Sequence, residues 1–346
     1  MNLLIYENVQ PIHIRKANVI NTINVTKGFI LNNCNIFFNV SHYKNTNFFK
    51  NNFKNDNSNI KFLVGKTNNE LLEFINNNID IIYSRDLEFP LFLIKNKINK
   101  YIILEDHGDN IPNYIETLRN YDKLIFNTIS PIIIKKFNIK KSLLFPCSID
   151  FNYFSQFDNF NHNLYIKNKI NIVYCGHLYD YKGIPLILKG ADKLENILFH
   201  LVGGKERDIN NLKNSYVPKN VIIHGYKNYK DVPNYLYSAD MLIIPYSKNG
   251  NIYSKSQITS PIKLFEYLST KKPVLCSNID GIKNWVTDNE VTFYKADDIN
   301  DFIKKINYLI ENKNSEHIIN KIKNGFIKAE KYSTFNKCKK LLSLCK

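Results

Sequence analysis

A chain of 346 residues exceeds what one core commonly fills, so two domains of about 150 to 180 residues are the expected division. Its hydrophobic share of 44% against 23% charged residues is that of a globular protein and excludes a disordered or fibrous one. The net charge of +16 admits nucleic acid, an anionic membrane surface or phosphorylated substrates as partners; the lysines form no dense block and no RNA-binding or helix-turn-helix signature accompanies them, which argues against nucleic acid.

Residues 2–7 read as an opening strand. The loop 8–16 that follows contains no glycine, so the dinucleotide-binding fingerprint is absent; it carries His13, Arg15 and Lys16. A helix from about Arg15 to Leu31 leads to a strand over Asn35–Val40. His42–Asn59 is rich in Asn, Lys and Phe without a clear period and reads as a long loop, a candidate acceptor lid. Strands at Ile60–Val64, Ile79–Tyr83, Tyr101–Glu105 and Lys123–Asn127 alternate with helical stretches, the pattern of a parallel sheet covered on both faces. Two of these runs end in polar groups, Tyr83-Ser84-Arg85-Asp86 and Glu105-Asp106-His107-Gly108. Ligands of open α/β sheets bind outside the carboxyl ends of strands, so Arg85, Glu105 and His107 are candidate site residues. As lone residues, such an Arg and His are also common structural groups. Leu143 to Phe154, with Pro146, Asp150 and Phe154, closes the first half, and the polar, unpatterned stretch 156–169 reads as a linker.

The second half opens with a strand over Ile170–Cys175, followed by Gly176-His177-Leu178, Tyr181-Lys182-Gly183 and a helix over Ile184–Leu194. A strand, a glycine turn and a basic loop before a helix form a geometry that cradles pyrophosphate. Leu198–Val202 with Gly203-Gly204 and Asn220–His224 with Gly225-Tyr226 are the next strands and turns. A helix from Asp231, the Ala239-Asp240 turn and the strand from Met241 to Tyr246 follow, then a polar loop, 247–259. In Ser260-Pro261-Ile262-Lys263-Leu264-Phe265-Glu266-Tyr267, Ser260 can cap a helix whose first turn holds Pro261. A buried strand begins at Val274. Taken alone, Lys263 and Glu266 are spaced as a solvated ion pair on a helix face. Gly281–Val286 and Val291–Tyr294 are expected to complete the sheet, and Asp297–Asn312 is an amphipathic helix with Asp297-Asp298 as its cap.

This last set of motifs resembles the retaining glycosyltransferases of family four, the glycosyl transferases group 1 with the GT-B fold. In that family a Ser-Pro-x-Lys-Leu-Phe-Glu-Tyr run precedes a turn and a Pro-Val strand. The Tyr-x-Arg and Glu-x-His features at 83–85 and 105–107, the Pro146 to Phe154 element and the helix, Ala-Asp turn and Pro-Tyr strand at 231–246 are similar to the family's. The resemblance implies two Rossmann-like domains with parallel sheets facing across a cleft. It divides the chain into an acceptor-binding domain at 1–155, a linker at 156–169, a nucleotide-sugar-binding domain at 170–325 and a helix at 326–346 that crosses back to the first domain.

The implied activity is metal-independent transfer of a sugar, with retention, from a donor such as a UDP- or GDP-sugar to a glycan, lipid-linked or protein acceptor, with no cofactor. Lys182 and the helix start from Ser260 and Pro261 to Lys263 would meet the leaving diphosphate, and Glu266 the ribose hydroxyls. Gly176, His177, Gly203, Tyr226 and Leu264 would complete the donor side. His107 would face the transferred sugar, Arg85 and Glu105 would shape the cleft, and His13 and Arg15 would lie on the acceptor side, suited to an anionic acceptor. Two departures stand out: the family's arginine is His177 here, and the first of its two signature glutamates is Ile258. These keep open a non-catalytic nucleotide- or glycan-binding protein on the same fold, alongside an epimerase or a phosphorylase.

The six cysteines, at 34, 147, 175, 276, 338 and 345, form no CxxC pair and read as reduced thiols. No stretch approaches 18 apolar residues and the first ten residues lack a signal peptide's charged start. The expected location is the cytoplasm, with peripheral contact at an anionic membrane face compatible with the charge.

Overall fold

A computed structural model describes residues 1–8, 17–54, 59–108, 112–248 and 260–346. The chain divides into two compact units, one formed by 1–150 with 332–346 and the other by 151–331.

The first unit is a seven-stranded, all-parallel sheet of β1 (Asn2–Glu7), β2 (Asn35–Val40), β3 (Ile60–Val64), β4 (Ile81–Ser84), β5 (Tyr101–Glu105), β6 (Leu124–Thr128) and β7 (Ser142–Leu144). The strand order is β3-β2-β1-β4-β5-β6-β7. Side chains alternate across a strand, and here both faces are covered. Leu3, Ile5, Ile81, Tyr83, Ile103 and Ile125 enter one core, while Leu4, Ile82, Ile102, Leu104, Leu124 and Phe126 enter the other. That is why these strands read as unbroken apolar runs. β4 begins two residues later than expected, because Ile79 still caps the helix Asn68–Asn78.

The expected loop at 42–59 is corrected over its described part. Tyr43–Asn45 is a 3₁₀ turn and Thr46–Asn52 a helix, whose Phe49, together with Phe53, is fully buried against Phe38. Two rings four residues apart meeting one strand residue tie this segment to the core, so it is not a free lid.

The second unit is a six-stranded parallel sheet of β8 (Ile170–Cys175), β9 (Ile197–Val202), β10 (Val221–Gly225), β11 (Met241–Ile244), β12 (Val274–Ser277) and β13 (Thr292–Tyr294). Its order is β10-β9-β8-β11-β12-β13, with the direction of winding reversing between β8 and β11. The strand expected at 281–286 is not one: Asp280–Lys283 is a helical turn that buries Ile282. Asp298 accepts from the amides of Asn300 and Asp301 and caps the helix Ile299–Glu311, as its position before that helix predicts.

Residues 156–169 pack on this unit instead of spanning as a linker. The Tyr165 ring stacks 3.8 Å from that of His200, its hydroxyl donates to the Tyr235 carbonyl, and the Asn161 amide donates to Asn234. The tail is two helices, not one crossing helix from 326. Glu316–Lys331 stays with the second unit; Ser333 then caps Thr334–Ser343, which packs on the helix Ala17–Leu31 of the first.

Candidate functional site

In the second unit the loops after β8 and β11 leave the sheet where its winding reverses, the position at which open α/β sheets bind ligands. The β8 loop ends in a 3₁₀ turn, Asp180–Lys182, and in Gly183, whose φ of +83° favours glycine. A Cβ on Gly183 would collide with the Pro245 carbonyl of the β11 loop, and the Ser247 amide donates to the Tyr181 carbonyl. The two loops are therefore locked together, and Lys182 is aimed by that lock. Its ammonium lies over the Tyr246 ring, and burial pushes its titration down.

The third contributor is the helix Ile262–Ser269, buried nearly all round. Pro261, not Ser260, is its N-cap, and no side chain caps it. Lys263 sits over the rings of Tyr174 and Tyr246, at 4.6 Å and 5.2 Å, with Nζ 3.4 Å from the Tyr174 hydroxyl. Its Nζ occupies the space that a side chain at Gly176 would fill. Burial opposes the ammonium, but Tyr174 and Tyr246 outweigh that and raise its pKa. Burial would also raise the Tyr246 phenol, yet Lys182 and Lys263 together lower it. Among the described residues neither lysine meets a carboxylate. Cations withdrawn from water need an anion, and aromatic faces offset only part of that cost.

Glu266, 5% exposed, accepts from the Tyr229 hydroxyl at 2.8 Å. Burial raises its carboxyl to about 7, against the pull of Tyr229 and Lys263. Lys263 and Glu266 are thus not a solvated ion pair: each is buried with its own tyrosine partners.

In the first unit Glu105, at the end of β5 and fully buried, collects five side chains. Oε1 accepts from Asn21 (2.7 Å) and Arg85 (3.3 Å) and lies 2.9 Å from His107 Nε2; Oε2 accepts from Tyr83 (3.0 Å) and Lys337 (2.5 Å). Burial pushes this carboxyl up, but Lys337, His107 and Arg85 prevail and hold it well below the usual carboxylate range. Burial and the Arg85 charge lower His107 to about 4.

Residues 155–325 match the protein family described as Glycosyl transferases group 1. The second unit is a group 1 glycosyl transferase domain. No curated protein sequence matches the chain. Among solved structures, a glycosyltransferase from Rickettsia africae ESF-5 shares 15% identity over 99% of this chain and 97% of its own, with a TM-score of 0.75. Anabaena Alr3699/HepE in complex with UDP shares 12% over 99% of both chains, with a TM-score of 0.69. Sucrose-phosphate synthase from Thermosynechococcus elongatus shares 12% over 99% and 96%, with a TM-score of 0.63. At these identities the likeness is one of fold, and the two doubly wound parallel-sheet units are those of the GT-B class.

The group 1 domain gathers Gly176, Lys182, Lys263 and Glu266 at the reversal of its sheet. The sequence signal missed their aromatic setting, Tyr174, Tyr229 and Tyr246, because two of these end or follow apolar strands and read as core. Leu264 is corrected: its side chain is fully buried and its amide donates to the Pro261 carbonyl, so neither is free for a donor. His177 is exposed, stacked on Tyr179; partial desolvation and then Lys263, Lys205 and Lys182 lower its pKa, so it supplies less charge than an arginine. A Cβ on Gly203 would stand 2.5 Å from the Gly176 carbonyl, so that turn abuts the β8 loop. Tyr226 is 52% exposed and Ser260 is buried. Glu105, expected to shape a cleft, is instead an interior anchor, and Arg85 serves it. His13, Arg15 and Ile258 lie outside the described residues.

Proposed function

We propose that the chain is a retaining, metal-independent glycosyltransferase that moves a sugar, of hexosyl type, from a nucleotide-sugar donor to a glycan, lipid-linked or protein acceptor. The observation that carries this reading is the pair of ammonium groups, Lys182 and Lys263, converging on Tyr246 with no carboxylate partner among the described residues. Departure of a nucleoside diphosphate from the anomeric carbon builds negative charge on its outer phosphate. Two fixed cations beside the start of the Ile262–Ser269 helix stabilise that charge, a preorganised contribution of several kcal/mol, without requiring a metal. Glu266, once ionised, accepts hydrogen bonds from ribose hydroxyls. His107 is assigned the contact to the transferred sugar, and the leaving phosphate assists deprotonation of the acceptor on the same face. The complexes of the Anabaena relative with UDP and UDP-glucose support a uridine donor. Among the described residues no helix is long and apolar enough to cross a membrane. The reading places the enzyme in the cytoplasm, with its net charge of +16 suited to peripheral contact with an anionic membrane face.

The test is turnover of UDP- and GDP-sugars in excess EDTA, with the product's anomeric configuration followed by NMR. Transfer with retention is expected. Loss of activity restored by magnesium or manganese, or an inverted product, would contradict the reading. His177 in the place of the family's arginine favours a second one, nucleotide binding without turnover. A donor-dependent rise in melting temperature with no product formed from any donor would decide for it.

A further inference from the structure

We propose that Lys337, on the helix Thr334–Ser343, is a positioning residue for His107, acting through Glu105. What His107 does in transfer rests on the reading above; how it is held does not. Lys337 is fully buried, and its Nζ reaches Glu105 Oε2 while His107 Nε2 faces Oε1 of the same carboxylate. Arg85 Nη2 stands 3.3 Å from His107 Nδ1. A guanidinium only donates, so Nδ1 carries the lone pair and the imidazole proton sits on Nε2, the nitrogen 2.9 Å from Glu105 Oε1 but not aligned with it in a hydrogen bond. Arg85 thus sets the tautomer, and the carboxylate beside Nε2 sets the charge against which the ring lies, provided that it is itself fixed. Tyr83 and Lys337 hold its far oxygen.

The other groups facing His107 are Arg85 from the loop after β4 and Cys147, whose Sγ is 4.0 Å from Nδ1. Of Glu105 and the five side chains gathered on it, the imidazole, with 19% of its side chain exposed, and Arg85 are the two that reach solvent. Packing does not require a lysine here. The helix is anchored by the apolar Cys338 and Leu341, and a buried ion pair stabilises a fold little better than well-packed apolar side chains. A cation at position 337 makes sense as a means of controlling Glu105 and, through it, the histidine.

The test follows the His107 imidazole by NMR titration in the full chain, which needs no donor and so is independent of the transferase reading. In Lys337→Met the ring loses a neighbouring cation, and its titration should move up by roughly one pH unit; Lys337→Arg, which keeps the charge, should stay near the parent. If transfer is observed, Lys337→Met should lower kcat at least about tenfold with the donor KM little changed, because the loss concerns orientation and not donor binding. Lys337→Gln is carried in parallel as a near-isosteric neutral variant. His107 titrating at the parental pH in either folded neutral variant overturns the proposal. So does failure of both to fold, since the lysine would then serve the fold itself.

Discussion

The Lys182 ammonium nitrogen lies 3.8 Å from the centre of the Tyr246 ring, closer than any other lysine-ring pair measured among the described residues. The residue that brings the charge and the residue that seats it lie on the loops that follow two adjacent strands of one sheet, β8 and β11, so the pairing of those strands brings the loops together.

Removing that charge tests the proposed donor site directly. Lys182→Ala should cut turnover at least about a hundredfold, the usual consequence of losing one contact that stabilises charge on a leaving group, with an unchanged circular dichroism spectrum. Turnover within threefold of the parent would take Lys182 out of the mechanism.

The lock behind Lys182 makes a separate prediction. Gly183→Ala places a side chain in the left-handed region and drives it against the Pro245 carbonyl. A cost of about 1 to 3 kcal/mol is expected, read as a lower melting temperature, and turnover should fall further than stability does because Lys182 is re-aimed. An unchanged melting temperature would show that the two loops yield freely.

Under the proposed function, Glu266 should tie nucleotide affinity to pH. Its folded-state carboxyl lies at about 7, above the unfolded value of 4.5, so the stability it contributes is full below the unfolded value and is lost as pH rises through 7. Under the proposed function binding should run the other way: with the ionised form accepting ribose hydroxyls, the affinity for a nucleoside diphosphate should tighten through the same range. Hydrogen bonds to a charged group contribute about 1.5 to 3 kcal/mol, so Glu266→Gln should bind tenfold or more weakly by calorimetry and lose this step. Equal affinities would place the nucleotide elsewhere.

His107 governs the acid side. Its folded value of about 4 lies below the unfolded 6.5, so its contribution is complete above 6.5 and disappears as pH falls toward 4. Up to about 3 kcal/mol is at stake, and the depressed Glu105 carboxyl adds a loss at still lower pH. Because Glu266 slopes the other way over the same range, the effect is read as the difference in urea midpoint between the parent and His107→Asn, which should grow from pH 4 to about 6.5 and then level off. A difference between parent and His107→Asn that is independent of pH over that range would remove the effect.

Much of the fold is legible in the sequence because parallel strands buried on both faces cannot hide: Ile170–Cys175 and Tyr101–Glu105 appear as apolar runs whose ends the structure reproduces. The polar residues at those ends, His107 and Glu105, are legible for the same reason. Phe49 and Phe53 carried a helical spacing that abundant Asn and Lys obscured. Lys337 was illegible in principle, since one lysine in a basic tail looks like its neighbours until the fold buries it. Leu264 shows the reverse error: a motif position suggests a ligand contact, and only packing reveals that the side chain faces the core.

The first unit is built from two separated pieces of chain, 1–150 and 332–346, and the isolated bridge between Ile149 and Ser333 joins them. The ribosome therefore delivers Glu105 long before Lys337, with the whole of 151–331 emerging between them. Until then the nascent unit holds a carboxylate at the floor of its sheet without one of its cations, and lacks Cys338 and Leu341 from its core. The group 1 domain can close on its own residues during synthesis, whereas the unit that begins first must wait to finish last. Chain order thus makes assembly of the histidine's support a late event, and a chain ending at residue 331 would hold every residue of the second unit but an unfinished first one.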